Sequence, residues 1–246
     1  KIMCGISGII KKNSSDIKDL ESEIRKMSLS LKHRGPDNSG IWIDNTNGIA
    51  LGHQRLSIID LSTAGNQPML SNDSSIVISF NGEIYNYKEL RKELETKGHK
   101  FITNGDTEVL LQGYIEYEEK ILNKLRGQFA FVIYDNKSGE LFMARDRIGI
   151  KPLYYFKINS KIVFASEIKA LINHSAFKKE IDYNGISSYL LHRYTINNRS
   201  NFFKNMYSVN EGSFLEIDLE KKQINNNEYY ELKINRDIKD KGEKYY

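Results

Sequence analysis

Four strand-like segments in the second half of this chain, each joined to the next by a turn, constrain its fold most. FAFVIYD (129–135), ELFMARD (140–146), PLYYF (152–156) and KIVFASE (161–167) follow one another, with turns such as 136–139 between them. Aromatic and β-branched runs bounded by turn formers read as strands. Upstream, CGISGII (4–10) is a short apolar run read as a buried strand. Ile17, Leu20, Ile24, Met27 and Leu31 recur at helical spacing, with Asp16 as the N-cap. Strands are expected at 40–43, 49–60 and 75–80, the last ending on Asn81 and Gly82. A helix over 87–97 is stopped by Gly98, and a second starts after Asp106 and runs to 125. A helix near 182–192 and a strand near 213–219 precede a polar tail. This order lacks the regular strand–helix alternation of a parallel doubly wound sheet. It predicts antiparallel sheets covered by helices.

Bulk properties exclude several functions. With 246 residues, 39% hydrophobic and 28% charged, the chain suits one large, soluble, layered domain. No stretch approaches the roughly 18 apolar residues of a membrane helix, and no signal peptide is read at the start, so no membrane partner is expected. The single cysteine excludes an internal disulfide framework and fits a reducing cytoplasm. The net charge is only +4, and lysines cluster no further than pairs such as Lys178 with Lys179. A nucleic-acid binder would concentrate that charge, so none is expected as a partner. The five histidines show no ligand spacing, so no metal site is expected. No glycine-rich phosphate loop is present.

Four places carry possible chemistry, and each has two readings. Cys4 is either a small buried hydrophobe or a nucleophile. It follows Met3. If Met3 is removed, Cys4 gains a free α-amino group titrating at roughly 7.7–8.0, close to a thiol at roughly 8.5. Such a residue brings its own base, as N-terminal threonine nucleophiles do. Gly5 would let the backbone pass close to a substrate. Asn81 and Gly82 are either a hairpin turn or an oxyanion hole made of a side-chain amide and a backbone N–H. Arg55 either points to solvent or clamps a carboxylate. Asp106 is either a helix N-cap or the partner of an ammonium group. Arginine with aspartate would grip both charged ends of a free α-amino acid.

Taken together, these motifs are specific. CGISGI, HRGPD (33–37), HQRLSIID (53–60), FNGEIYN (80–86), GDTE (105–108), GQFAFVIYD (127–135) and ARDRIGIKPLYY (144–155) occur in the order and rough spacing of the class II glutamine amidotransferases. The wording resembles the asparagine synthetase branch over about 4–230. The resemblance implies an α+β fold, a four-layer αββα sandwich of two antiparallel sheets between helical layers. It implies Cys4 as nucleophile with its own α-amino group as base, and Asn81 and Gly82 as the oxyanion hole. Arg55 would bind the glutamine α-carboxylate, and Glu83 and Asp106 the α-ammonium. Leu56, Ser57, Ile58 and Ile59 would line the pocket.

The same resemblance makes glutamine the substrate and an ATP-dependent synthetase domain the partner, with a homodimer as a further possibility. ATP and Mg belong to that synthetase domain, since no pyrophosphate loop occurs here, and no cofactor is expected in this chain. Residues 1–3 are read as a cloning remnant or unprocessed start, 4–230 as the glutaminase domain, and 231–246 as a linker toward the synthetase domain. The alternative is a degenerate, non-catalytic binding scaffold of the same fold. A hexosamine-phosphate synthase glutaminase fits less well, because its arginine and Asn-Gly motifs read differently.

Overall fold

Alternation along the first strand, β1 (Gly5–Lys11), prepares the layers. Ile6 and Ile10 enter one apolar cluster and Ile9 another, so β1 is covered on both faces. A strand buried on both sides reads as a continuous apolar run, as 4–10 does. The computed structural model describes residues 3–11, 19–158, 161–194, 201–219, 221 and 223–233. After β1 come α1 (Leu20–Ser30), β2 (Asn38–Asp44), β3 (Ile49–Arg55), β4 (Met69–Leu70) and β5 (Ile76–Ile84). Three helices follow: α2 (Tyr87–Thr96), α3 (Asp106–Tyr117) and α4 (Ile121–Lys124). The second half holds β6 (Gly127–Asp135), β7 (Glu140–Arg145), β8 (Tyr154–Ile158), β9 (Lys161–Ala165), α5 (Ile168–Ile172) and α6 (Tyr183–His192). It closes with β10 (Met206–Ser208), β11 (Ser213–Asp218) and β12 (Gln223–Glu228).

Two six-stranded sheets result, ordered β10-β8-β9-β1-β3-β2 and β12-β11-β7-β6-β5-β4. Their pairings are antiparallel. Ile6, Leu51, Val77, Val132, Met143 and Phe164 belong to the core between the sheets. Leu20, Ile24 and Met27 of α1 and Leu171 of α5 cover the outer face of the first sheet. Leu90, Leu94, Val109 and Leu122 from α2, α3 and α4 cover the second against Phe80 and Phe131. This is the αββα sandwich. The glycines of the first motif serve packing: a Cβ on Gly8 would run into the Phe164 ring, and one on Gly5 would sit 2.9 Å from Leu31 Cβ. A side chain at Gly5 would therefore meet the end of α1.

Several boundaries differ from the sequence reading. The Asp16 cap and Ile17 lie outside the described residues, as do residues 1–2 and the expected linker from 234 onward; α1 begins at Leu20. β3 stops at Arg55, not at 60; its pairing with β1 ends at Gln54 and its pairing with β2 at Arg55. The helix expected to 125 breaks at Glu118, whose φ of 51° lies in the left-handed region. Asn81 and Gly82 do not turn; they pair with Ala130 and Phe129 in the middle of a ladder. The short β10 and the polar β12 were not expected; β12 reads QINNNE and is held as a strand by its ladder with β11.

Candidate active site

A strand that continues through Asn81 and Gly82 arms one wall of a cavity. In an antiparallel ladder, the N–H groups of successive residues point alternately to the two flanking strands. On β5, Tyr85 N–H donates to Arg126 O at 2.7 Å, on the β6 side. Residues of even number therefore point the other way, where β4 pairs only with Val77 and Ile78 and the edge beyond is open. There, Phe80 N–H donates to Gln67 Oε1 at 2.7 Å and Ile84 N–H to Asp106 Oδ2 at 3.0 Å. The Gly82 N–H lies between these two occupied donors, directed to the same edge. A Cβ at Gly82 would approach Phe129 Cα to 2.8 Å, so glycine is what lets β5 and β6 close here. The Asn81 side chain is buried, and its Nδ2 has no hydrogen-bond partner. Buried donors are nearly always satisfied, so this exception calls for a reason.

Cys4 stands at the head of β1, across from the chain leaving β3. Its Sγ accepts from Leu56 N–H at 3.3 Å and lies 3.6 Å from Leu56 O. Arg34 Nε donates to the Cys4 carbonyl at 2.9 Å, and Arg34 Nη1 is tied to Glu167 at 2.7 Å, which sets the backbone of the thiol-bearing residue. Burial pushes the thiol up from its ordinary value, and Asp106 adds to this. The Leu56 N–H, Arg55 and Lys151 pull it down.

Both sheets contribute to the cavity of about 420 Å³ that holds this thiol. Cys4, Arg55, Leu56, Ile58, Ile59, Asn81, Gly82, Glu83 and Asp106 all line it. Ser57 does not; its N–H donates to Asp37 Oδ2 at 2.8 Å. Arg55 is buried, against the solvent-facing reading. Its Nη1 donates to Ser62 O at 2.7 Å and Asn66 Oδ1 at 2.8 Å, and its Nη2 to Asp60 O. Those bonds use three of its five N–H groups, and they fix the loop after β3 as well as the guanidinium. Asp106 is not the N-cap of α3. Gly105 holds that position, and the Asp106 carboxylate reaches β5 instead. Burial, with the charge of Glu83 adding, pushes the Asp106 carboxyl up to about 6.

Sequence reasoning missed Gln67, Thr103, Gln128 and Lys151, which also line the cavity. Gln67 lies in the STAGNQP loop and Lys151 in the ARDRIGIKPLYY motif, so both were in view as motif members without a role. Glu108 of the GDTE motif accepts from Ile102 N–H and Thr103 N–H, fixing the loop that delivers Asp106. No histidine lines the cavity. Among the described residues, no group of three or more His, Cys, Asp or Glu is placed to hold a metal ion, and no helix is long and apolar enough to cross a membrane.

Two antiparallel sheets between helical layers, with a cysteine leading the first strand into a cavity, define an N-terminal-nucleophile hydrolase type of glutamine amidotransferase fold. The chain matches the family model described as glutamine amidotransferase domain over residues 3–230, and it belongs to that family. It is 48% identical over 171 residues to asparagine synthetase [glutamine-hydrolyzing] 1 of Bacillus subtilis, covering 69% of this chain and 27% of that protein. It is 36% identical over 235 residues to asparagine synthetase [glutamine-hydrolyzing] 2 of the same organism, covering 94% and 31%. The chain thus spans less than a third of either relative. A solved structure of glutamine phosphoribosylpyrophosphate amidotransferase from B. subtilis shares the fold, with a TM-score of 0.63 at 21% identity. The match covers 92% of this chain and 49% of that one.

Proposed function

We propose that this chain is a glutaminase module that hydrolyses glutamine to glutamate and ammonia. The ammonia would serve an ATP-dependent asparagine synthetase-type domain, to which ATP and Mg belong. One observation carries the reading: the Cys4 thiol shares a cavity with the unpartnered Asn81 amide and Gly82, beside a buried arginine and a buried aspartate. The lone thiol fits a reducing cytoplasm.

In this reading the α-carboxylate of glutamine takes the two N–H groups Arg55 has left, and the α-ammonium pairs with Asp106 and Glu83. The carboxamide then lies against Cys4. The Cys4 α-amino group accepts the thiol proton as Sγ attacks the carboxamide carbon. Asn81 Nδ2–H and Gly82 N–H receive the oxyanion, and a donor of this kind contributes on the order of 3 kcal/mol. The resulting ammonium returns its proton to the departing nitrogen, ammonia leaves, and a thioester remains. The amine then activates a water, which attacks the thioester and releases glutamate and the thiol.

An electrophilic glutamine analogue, such as a chloroketone, tests the assignment in a chain beginning at Cys4. It is expected to add once, at Cys4, and to stop ammonia release in proportion. Adducts elsewhere, or full activity after labelling, would overturn it.

The raised Asp106 carboxyl gives a second expectation. A carboxylate binds an ammonium; a neutral carboxyl does not. Calorimetry on Cys4→Ala, which binds without turnover, should show glutamine affinity falling as pH drops through about 6. An affinity flat between pH 7 and 5 would remove Asp106 from ammonium recognition.

A further inference from the structure

Alternation along two facing strands places a polar group inside the core. On β3, Ile49 and Leu51 belong to the core between the sheets, and His53 follows on the same face. On β5, Val77 belongs to that core, and Ser79 and Asn81 follow on its side. His53 is fully buried and spans the gap between the sheets, its Nε2 lying 3.0 Å from the carbonyl oxygen of Phe80. A carbonyl only accepts, so Nε2 carries the proton and donates. Burial pushes the ring down to about 4, so Nδ1 is unprotonated near neutral pH, and it has no hydrogen-bond partner among the described residues. A leucine would fill this position without burying an unpaired acceptor, so the histidine calls for a reason beyond packing.

The bond holds a particular stretch of β5. Phe80 is the last residue before Asn81 and Gly82, and β4 ends its pairing with β5 at Ile78. Side chains take over on that open edge: Gln67 Oε1 accepts from the Phe80 N–H at 2.7 Å, and His53 donates to the Phe80 carbonyl. That carbonyl shares one planar peptide unit with the Asn81 N–H, so fixing it fixes the start of the segment that carries both oxyanion donors. His53 itself stands on the sheet of Cys4, paired with Ile6 of β1. We propose that His53 is a positioning residue: through Phe80 it holds the Asn81 and Gly82 donors at a set distance from the Cys4 thiol on the other sheet. Apolar contacts between sheets are non-directional, whereas a hydrogen bond resists sliding. Oxyanion donors must meet the oxygen at about 2.7–3.1 Å, and a displacement of about 1 Å can cost 10²-fold. His53 does not line the cavity, so it acts through β5 and not on the substrate. The kinetic effect rests on the glutaminase reading, but the geometry of the donors can be read without glutamine.

Kinetics and NMR test it together. In the chain beginning at Cys4, His53→Leu is expected to lower kcat about tenfold with KM within about twofold. His53→Gln, whose Nε2 can reach the same carbonyl, is expected to recover most of that loss. In an Asn81→Ala background, His53→Leu is expected to cost less than about threefold more, because one of the donors it places is already gone. In the full 246-residue chain, His53→Leu is expected to displace the NMR resonances of the Gly82 N–H and the Asn81 side-chain amide. Resonances of β11 and β12 should stay in place, and His53→Gln should return the displaced ones toward their wild-type positions. Unmoved Gly82 and Asn81 resonances in folded His53→Leu overturn the proposal. So does a wild-type kcat in folded His53→Leu, an equal loss in His53→Gln, or a full tenfold loss on top of Asn81→Ala. If circular dichroism shows His53→Leu unfolded, His53→Asn, whose shorter amide does not reach Phe80, replaces it under the same criteria. If the wild-type chain proves inactive on glutamine, the glutaminase reading falls, and the NMR result alone decides the role of His53.

Discussion

A chain beginning at Cys4 is expected to release ammonia from glutamine, and the same chain with Met3 retained is expected to be slower by roughly 10²–10⁴-fold, the usual contribution of general-base catalysis. An ordinary cysteine hydrolase takes its base from a histidine, and none lines this cavity. His53 lies two residues before Arg55, yet it is fully buried and its Nε2 meets Phe80 O at 3.0 Å. Burial pushes it down to about 4, so it stays neutral and committed to the β5 backbone. Asp106 and Glu83 are assigned to the ammonium of the substrate. In the proposed reaction the α-amine of Cys4 is therefore the base. With Met3 attached, that nitrogen is an amide with no basic lone pair, and Met3 itself occupies part of the cavity wall. Both forms are to be verified by mass spectrometry at the N-terminus and assayed for ammonia, with Cys4→Ala as the zero. Equal rates from a chain proven to retain Met3 would exclude the N-terminal-nucleophile mechanism.

Asn81→Ala is expected to lower kcat by about 10²–10³-fold while moving KM little. The Nδ2 donor has no partner in the resting site, so its removal breaks no hydrogen bond of that group and should spare the fold. In the proposed reaction its partner appears only as the oxyanion forms, so the loss falls on the transition state. Gly82→Ala would be a poorer probe, since the new Cβ meets the β6 backbone and would displace the strand. Steady-state kinetics with melting curves separate the cases. A kcat near wild type in a folded Asn81→Ala chain would withdraw Asn81 from the oxyanion hole.

Local pattern carried much of the fold. The strands at 129–135 and 140–146 and the glycine stop at Gly98, with its φ of +95°, are observed where turn chemistry and residue type placed them. Both follow from interactions within a few residues. The Asn81 and Gly82 pair was misleading for the same reason. Asn-Gly favours a hairpin locally, but pairing with Ala130 and Phe129 across a nine-residue strand outweighs that preference. The polar β12 follows the same rule, since nothing in QINNNE favours a strand except the partner beside it. Glu118 breaks the expected helix although its neighbours keep helical spacing.

The candidate site divides along a similar line. The residues that meet in the cavity and their order along the chain were legible from the motifs, including Cys4, Arg55, Asn81, Gly82 and Asp106. Their arrangement was not legible. Arg55 is buried because the loop through Asp60, Ser62 and Asn66 folds over it. Asp106 is the first residue of its helix and not the cap, and its carboxylate accepts from the Ile84 N–H at the edge of β5. Ser57 turns out of the pocket toward Asp37, and Lys151 enters it on a loop wound around Asp146. Each outcome depends on contacts between residues far apart in the chain. Spacing and composition can name the participants in such contacts, but only closure of the two sheets determines which buried donor meets which acceptor.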